Sequence, residues 1–204
     1  MNPMEATVYV VDDDQSVRTG LSRLLQSMGL TVKTFASARE FLDQAVAEEP
    51  GCLIADLRMP AMNGLELQEQ LMTRNLNLPV IFLTGYGTVP ASVRAIKRGA
   101  VDFLEKPVDD QVLLDAIYQA LEKDRENRRN QAEVKSIQDR LESLTPREYE
   151  VFTLITAGQL NKQVAYELGT AEKTIKVHRA RIMEKMHCES LAQLVRLAEK
   201  AGVR

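Results

Sequence analysis

The chain has 204 residues, of which 45% are hydrophobic and 27% charged, with a net charge of −3. That is the composition of an ordinary globular protein of one large or two small domains. No apolar run reaches membrane-spanning length, and Met1 to Thr7 lacks the charged-then-apolar pattern of a secretory signal, so a cytoplasmic location is expected. Cys52 and Cys188 lie far apart, with no metal or redox spacing, and read as reduced, buried thiols. The small net charge hides an asymmetry: residues 1–124 carry −7 and residues 125–204 carry +4. An acidic half joined to a basic half suggests two domains with different partners.

Thr7 to Val11 is β-branched and aromatic, so it reads as a strand, and it runs into Asp12-Asp13-Asp14. Val17, Leu21, Leu24, Leu25 and Met28 recur at helical spacing until Gly29. Thr31 to Phe35 is a second strand. Ser37 and Glu40 form a capping-box pattern opening a helix with Phe41, Leu42 and Ala45. Pro50-Gly51 precedes the apolar run Cys52 to Ala55, which ends at Asp56 and turns at Met59-Pro60 and Asn63-Gly64. Leu65, Leu67 and Leu71 mark the next helix. Val80 to Thr84 is a fourth strand, followed by a loop at Gly85 and Gly87. A short helix with Val93, Ile96 and Ala100 lies around Gly99. Val101 to Glu105 is a fifth strand ending at Lys106-Pro107, and Val112, Leu113, Ile117 and Leu121 give a fifth helix.

Five strands alternating with five helices specify an α/β fold, a doubly wound five-stranded parallel sheet. In the common 2-1-3-4-5 order, strands one, three, four and five lie side by side. Their carboxyl ends then gather Asp12, Asp13, Asp56, Thr84 and Lys106. The first domain is expected over residues 1–123, with a linker at 124–140 that is at least partly helical, because Glu122 to Arg129 is nearly all polar and free of Pro and Gly.

Residues 141–204 carry no strand signal and read as an all-α four-helix domain. Thr145-Pro146-Arg147-Glu148 is a capping box with Pro at the first helical position. Asn161 can cap a short helix with Val164, Ala165 and Leu168, stopped by Gly169. A third helix runs from about Glu172 to Met186, and Ser190 opens a fourth. Two short helices joined through a glycine in a small bundle describe a helix-turn-helix.

Several carboxylates around one point persist together when a hard cation sits among them, and Mg²⁺ prefers such oxygen ligands. Asp12, Asp13, Asp56 and the backbone carbonyl of Arg58 are its expected ligands. The Asp56 carboxylate could then attack a phosphoryl group. Lys106 and Thr84 would offset charge on the transferred oxygens. A phosphatase with an aspartyl nucleophile is the competing enzyme reading. Such phosphatases use an acid two residues after the nucleophile, and here that position is Arg58. The expectation is therefore no turnover enzyme.

Val10 to Asp14, Asp56 to Pro60 with Asn63-Gly64, Thr84-Gly85 and Lys106-Pro107 resemble the receiver domain of two-component response regulators. Leu144 to Glu148 and Thr174 to Arg179 resemble the LuxR-type DNA-binding domain. Together they resemble the NarL/FixJ family, most closely its FixJ branch, over nearly the whole chain. The resemblance implies phosphoryl transfer from a sensor histidine kinase to Asp56 and a switch pair of Thr84 and Phe103. It also implies a homodimer formed on phosphorylation through the helix after strand four and strand five, and promoter DNA and RNA polymerase as partners. A cis Lys106-Pro107 bond is implied as well.

At 100° per residue, Ile175, His178, Ile182 and Met186 share one face of the third helix, and Lys173, Lys176, Val177, Ala180 and Glu184 the opposite one. The apolar face is expected to dock and the basic face to enter the major groove. Lys176 and Val177 are the candidates for base contacts, with Lys173, Arg179, Arg181 and Lys162 for phosphates. A protein-binding role for this helix is disfavoured by its charge. Ala171 stands where the family usually has a capping Ser, so either Thr170 shifts the helix start or the end frays. Val108 stands where an aromatic residue often follows Lys-Pro.

Overall fold

In the computed structural model the described residues are 6–44, 49–85 and 89–203. The expected helical position Ala45 and the loop residue Gly87 lie outside them. The chain divides into two units, Met1–Arg128 and Arg129–Arg204.

In the first unit, β1 (Thr7–Val11), β2 (Thr31–Phe35), β3 (Gly51–Ala55), β4 (Val80–Thr84) and β5 (Asp102–Glu105) form one sheet. All neighbours are parallel, in the order β2-β1-β3-β4-β5, as the alternation of strands and helices requires. Between them run α1 (Gln15–Ser27), α2 (Ala38–Gln44), α3 (Gly64–Thr73) and α4 (Val89–Lys97). Every residue of β1, β3 and β4 is buried, which is why these strands are almost wholly apolar, with only Thr7 and Thr84 polar, instead of alternating with polar residues. Their side chains still alternate between two cores. Tyr9, Val11, Leu53, Ala55 and Phe82 join one with Phe41 of α2 and Leu67 of α3. Val8, Val10, Cys52, Ile54 and Ile81 join the other with Leu25 of α1 and Leu113 and Ile117 of α5 (Asp110–Glu142).

Some boundaries differ from expectation. Helix α4 ends at Lys97, and Gly99 follows with φ of 88°, outside the helix that was expected around it. Strand β5 starts at Asp102, one residue late. Helix α2 is capped as expected at one bond, with the Glu40 amide donating to Ser37 Oγ, but the Glu40 carboxylate reaches the amide of Ala36. The expected linker is helical throughout, because α5 continues without a break for 33 residues.

Unit one extends past residue 123 for a physical reason. Asp124 is only 2% exposed. Its carboxylate accepts the backbone N–H of Gly51 at 3.0 Å and Arg128 Nε at 2.7 Å. Arg128 Nη2 in turn donates to the carbonyl of Glu49. A buried N–H without water must find an acceptor, and the amide that opens β3 finds it on α5.

In the second unit, the end of α5 packs with α6 (Pro146–Thr156), α7 (Asn161–Glu167), α8 (Glu172–Lys185) and α9 (Leu191–Lys200) around Ile137, Phe152, Ile155, Val164, Ile175, Ile182 and Leu194. Thr145 and Glu148 form the expected reciprocal cap of α6, and Ser190 caps α9. Asn161 is not the cap of α7: it is the first helical residue, Leu160 precedes it, and Gln163 Oε1 accepts the Leu160 amide. Helix α8 starts at Glu172 with Ala171 at its cap and no side-chain bond there, so Thr170 does not take over. Both cysteines are free and buried, one in each unit.

Replacing Asp124 with Ala should orphan the Gly51 amide and leave the Arg128 guanidinium half-buried without its carboxylate. A loss of about 2–3 kcal/mol in the first unit is expected, read by urea unfolding together with faster hydrogen exchange at Gly51.

Candidate functional site

Backbone pairing at the carboxyl edge of the sheet sets the site. The Asp56 amide donates to the Val11 carbonyl at 2.8 Å, and the Lys106 amide donates to the Thr84 carbonyl at 2.9 Å. Asp12 and Asp56 therefore leave adjacent strands at the same height, and Thr84 and Lys106 leave the next pair. Asp12 is 3% exposed, Asp56 7% and Thr84 1%. Lys106 Nζ lies 2.6 Å from Asp12 Oδ2 and 3.0 Å from Asp56 Oδ1. Burial alone would lower the lysine pKa, but hydrogen bonds to Asp12 and Asp56 and their charges outweigh it, and the pKa is raised. The ammonium thus stays charged between two buried carboxylates.

The remaining carboxylate oxygens are also engaged. Asp12 Oδ1 accepts the Asp14 amide at 2.9 Å, and Asp56 Oδ2 accepts the Arg58 amide at 2.6 Å. Asp14 caps α1, accepting the Ser16 amide at 2.7 Å. The side-chain and backbone bonds from Ser16 lower its pKa. The third expected acid behaves differently. Asp13 is exposed, and among the described residues no three acids, histidines or cysteines form a metal-ligand group. Asp12 and Asp56 meet at the Lys106 ammonium, while Asp13, the next residue after Asp12, stands on the exposed side. The ammonium occupies the space between Asp12 and Asp56, because two desolvated carboxylates side by side need a cation.

Gly64 brings α3 against this edge. A Cβ at position 64 would lie 2.5 Å from the Asp56 carbonyl and 2.8 Å from the Phe82 ring. Asn63 and Glu66 cap the helix reciprocally. Phe103 is half-buried beside β4, with its ring 6.2 Å from that of Phe82, and the Lys106-Pro107 bond is cis.

In the second unit, Ile175, Ile182 and Met186 of the α8 region are fully buried, as the helical wheel predicts. Lys173, Lys176, Val177, Ala180 and Arg181 are exposed, and so is Lys162 of α7. Lys176 forms a 3.1 Å ion pair with Glu172, one turn back. His178 is half-buried, and its Nδ1 is buried with no hydrogen-bond partner. Arg179 turns toward α7, where its Nη1 donates to Asn161 Oδ1 at 2.8 Å. Lys185 anchors the far end of α8: its Nζ lies 2.6 Å from Glu148 Oε2 and 2.9 Å from the Ser143 carbonyl. Sequence reading missed Lys185, Asp124 and the Arg179–Asn161 bond. Each partner lies far away in the chain, and no local pattern points to it.

Residues 8–118 match the model for response regulator receiver domains, and residues 142–198 match that for bacterial regulatory proteins of the luxR family. A receiver joined to a LuxR-type DNA-binding domain is the composition of a transcriptional response regulator. The chain belongs to that family, in its FixJ-type branch. It is 47% identical to nodulation protein W of Bradyrhizobium diazoefficiens, over 98% of this chain and 88% of that protein. It is 42% identical to the transcriptional regulatory protein FixJ of Azorhizobium caulinodans, over 98% and 95%. Among solved structures, the response regulator StyR is 49% identical with a TM-score of 0.81, covering 96% of this chain and 99% of that one. Full-length FixJ from B. japonicum is 40% identical with a TM-score of 0.59, covering 98% of each chain. Among the described residues no helix is long and apolar enough to cross a membrane.

Glu148 gives the helical unit a defined acid limb. The bond from Lys185, then the bond from the Thr145 amide, lower its pKa from 4.5 to about 2. A carboxylate with a depressed folded pKa stabilises fully above its unfolded value and progressively less below it. Stability of this unit should hold above pH 4.5 and fall between pH 4.5 and about 2. Lys185→Met should narrow that window from below and lower the thermal midpoint at pH 7, measured by circular dichroism across a pH series.

Proposed function

We propose that Asp56 accepts a phosphoryl group from the histidine of a sensor kinase and that the DNA-binding domain answers to its state. The observation that carries this is the Lys106 ammonium held between the carboxylates of Asp12 and Asp56 at the carboxyl edge of a parallel sheet. Asp56 presents an oxygen nucleophile in a largely dry site. Its attack forms an O–P bond as the donor's N–P bond breaks, the imidazole nitrogen keeping the electron pair and gaining a proton. Lys106 and the Thr84 hydroxyl would stabilise the transferred oxygens. The all-oxygen donor set suits Mg²⁺. Asp12, Asp13, Asp56 and the Arg58 carbonyl would hold it, and when bound it would offset charge on the phosphoryl oxygens. Thr84 and Phe103 would form the switch pair, the ring moving as the hydroxyl engages phosphate.

The rest of the reading follows from the family. Phosphorylation favours a homodimer through the receiver, which reads a two-half-site operator in promoter DNA and works there with RNA polymerase in the cytoplasm. The domains would be a receiver over 1–123, a linker over 124–140 and a helix-turn-helix domain over 141–204, although the contacts of Asp124 and Arg128 favour ending the receiver at Arg128. The protein acts as a switch and not as a turnover enzyme. In the DNA-binding domain, Lys176 and Val177 would meet base edges, and Lys162, Lys173 and Arg181 phosphates. The bare apolar Val177 suits a thymine methyl, and Lys176 a guanine edge.

Asp56→Asn should abolish labelling by acetyl phosphate with Mg²⁺, followed by intact-mass spectrometry. Labelling that persists would remove Asp56 as the acceptor. Lys176→Ala should cost about 1–3 kcal/mol of discrimination at one position of each half-site, and footprinting across single-base operator variants would locate it.

A further inference from the structure

Helix α7 spans only Asn161–Glu167, far too short to be stable or to hold a direction alone. Its orientation must come from what fixes its ends. At the carboxyl end, Gly169 takes φ of 60° to turn the chain toward α8, and Arg147 Nη2 donates to the carbonyl of Leu168. In the middle, Val164 and Ala165 are buried in the core. At the amino end Leu160 has no capping side chain of its own, and the bond there within the helix runs from the Leu160 amide to Gln163 Oε1. From another helix, what meets that end is Arg179, eighteen residues on, at the edge of the docked face of α8, with Nη1 2.8 Å from Asn161 Oδ1. Arg179 is half-buried, whereas Lys173, Lys176, Val177 and Arg181 around it are exposed.

We infer that Arg179 is a positioning residue, not a phosphate contact: through Asn161 it fixes the angle between α7 and α8. This rests on the DNA-binding reading of the second unit and assigns one of its cations a different task. Lys162 follows Asn161 directly in the chain, so the bond ties the phosphate-facing start of α7 to the middle of the base-facing helix. Phosphate contacts set register, and bases are read only in that register. A loosened hinge therefore loses the specific complex while the sequence-independent attraction, which depends on charge alone, survives. Arg suits the task because its planar fork keeps a rigid donor direction, and a Lys ammonium on a flexible stem does not.

The test uses the full chain and the duplex that it enriches from a random-sequence library, with a scrambled duplex of equal length as the non-specific probe. Asn161→Ala, which changes no charge, should weaken binding to the enriched duplex about tenfold. It should leave the scrambled duplex, the salt slope and the thermal midpoint near their wild-type values. Arg179→Ala and Arg179→Lys should match it in selectivity, and the Asn161→Ala/Arg179→Ala double variant should be no worse than either alone. A phosphate contact predicts a different set: Arg179→Lys close to wild type, Arg179→Ala with a salt slope smaller by about one and weaker on both duplexes, and Asn161→Ala without effect. That set would overturn the inference. If the wild-type chain enriched no duplex and showed no salt-dependent binding, the DNA-binding reading itself would fail, a result separate from either.

Discussion

Two carboxylates held side by side in a nearly dry site repel each other, and the first unit is arranged around the cation that reconciles them. Parallel pairing brings Asp12 and Asp56 to one height on adjacent strands, and the Lys106 ammonium bridges them at 2.6 and 3.0 Å. The strands that deliver them carry no charge, since β1 and β3 are buried along their whole length. Charge can therefore appear only where the strands stop. The two cores behind the sheet and the glycine that lets α3 approach Asp56 all serve to keep that edge in place.

The second unit solves an analogous problem with the opposite sign. A helix that presents lysines and arginines outward must be held by something other than those charges. Ile175, Ile182 and Met186 hold it by burial, and Lys185 and Arg179 hold it by hydrogen bonds to neighbouring helices. Cations on the same helix thus divide between those that face solvent and those that face protein. A count of positive charge along the segment cannot separate the two groups.

Much of this was legible from residue order. The buried strands β1, β3 and β4 show as apolar runs, β2 and β5 alternate with helices in chain order, and the topology then placed Asp12, Asp56, Thr84 and Lys106 together. The periodicity of α8 gave its buried face correctly. What escaped was set by partners distant in the chain. Asp13 looked equal to Asp12 in sequence, yet it is exposed while Asp12 is buried, because consecutive residues leaving a strand point in different directions. The end of the first unit could not be found from polarity, because Asp124 is a carboxylate that is buried, and its acceptor role depends on an amide seventy-three residues earlier. Asn161 had the residue type of a cap, but the chain placed it one step inside the helix and used its side chain elsewhere.

Cys52 has a consequence of its own. It is the second residue of β3, four residues before Asp56, and is 0% exposed. Burial, reinforced by the charge of Asp124, pushes its thiol pKa up. Oxidants and electrophiles attack the thiolate, and this sulfur is both protonated and out of reach while the sheet is folded. Within β3 the sulfur is thus shielded by burial, while the carboxylate of Asp56 stands just beyond the end of the strand.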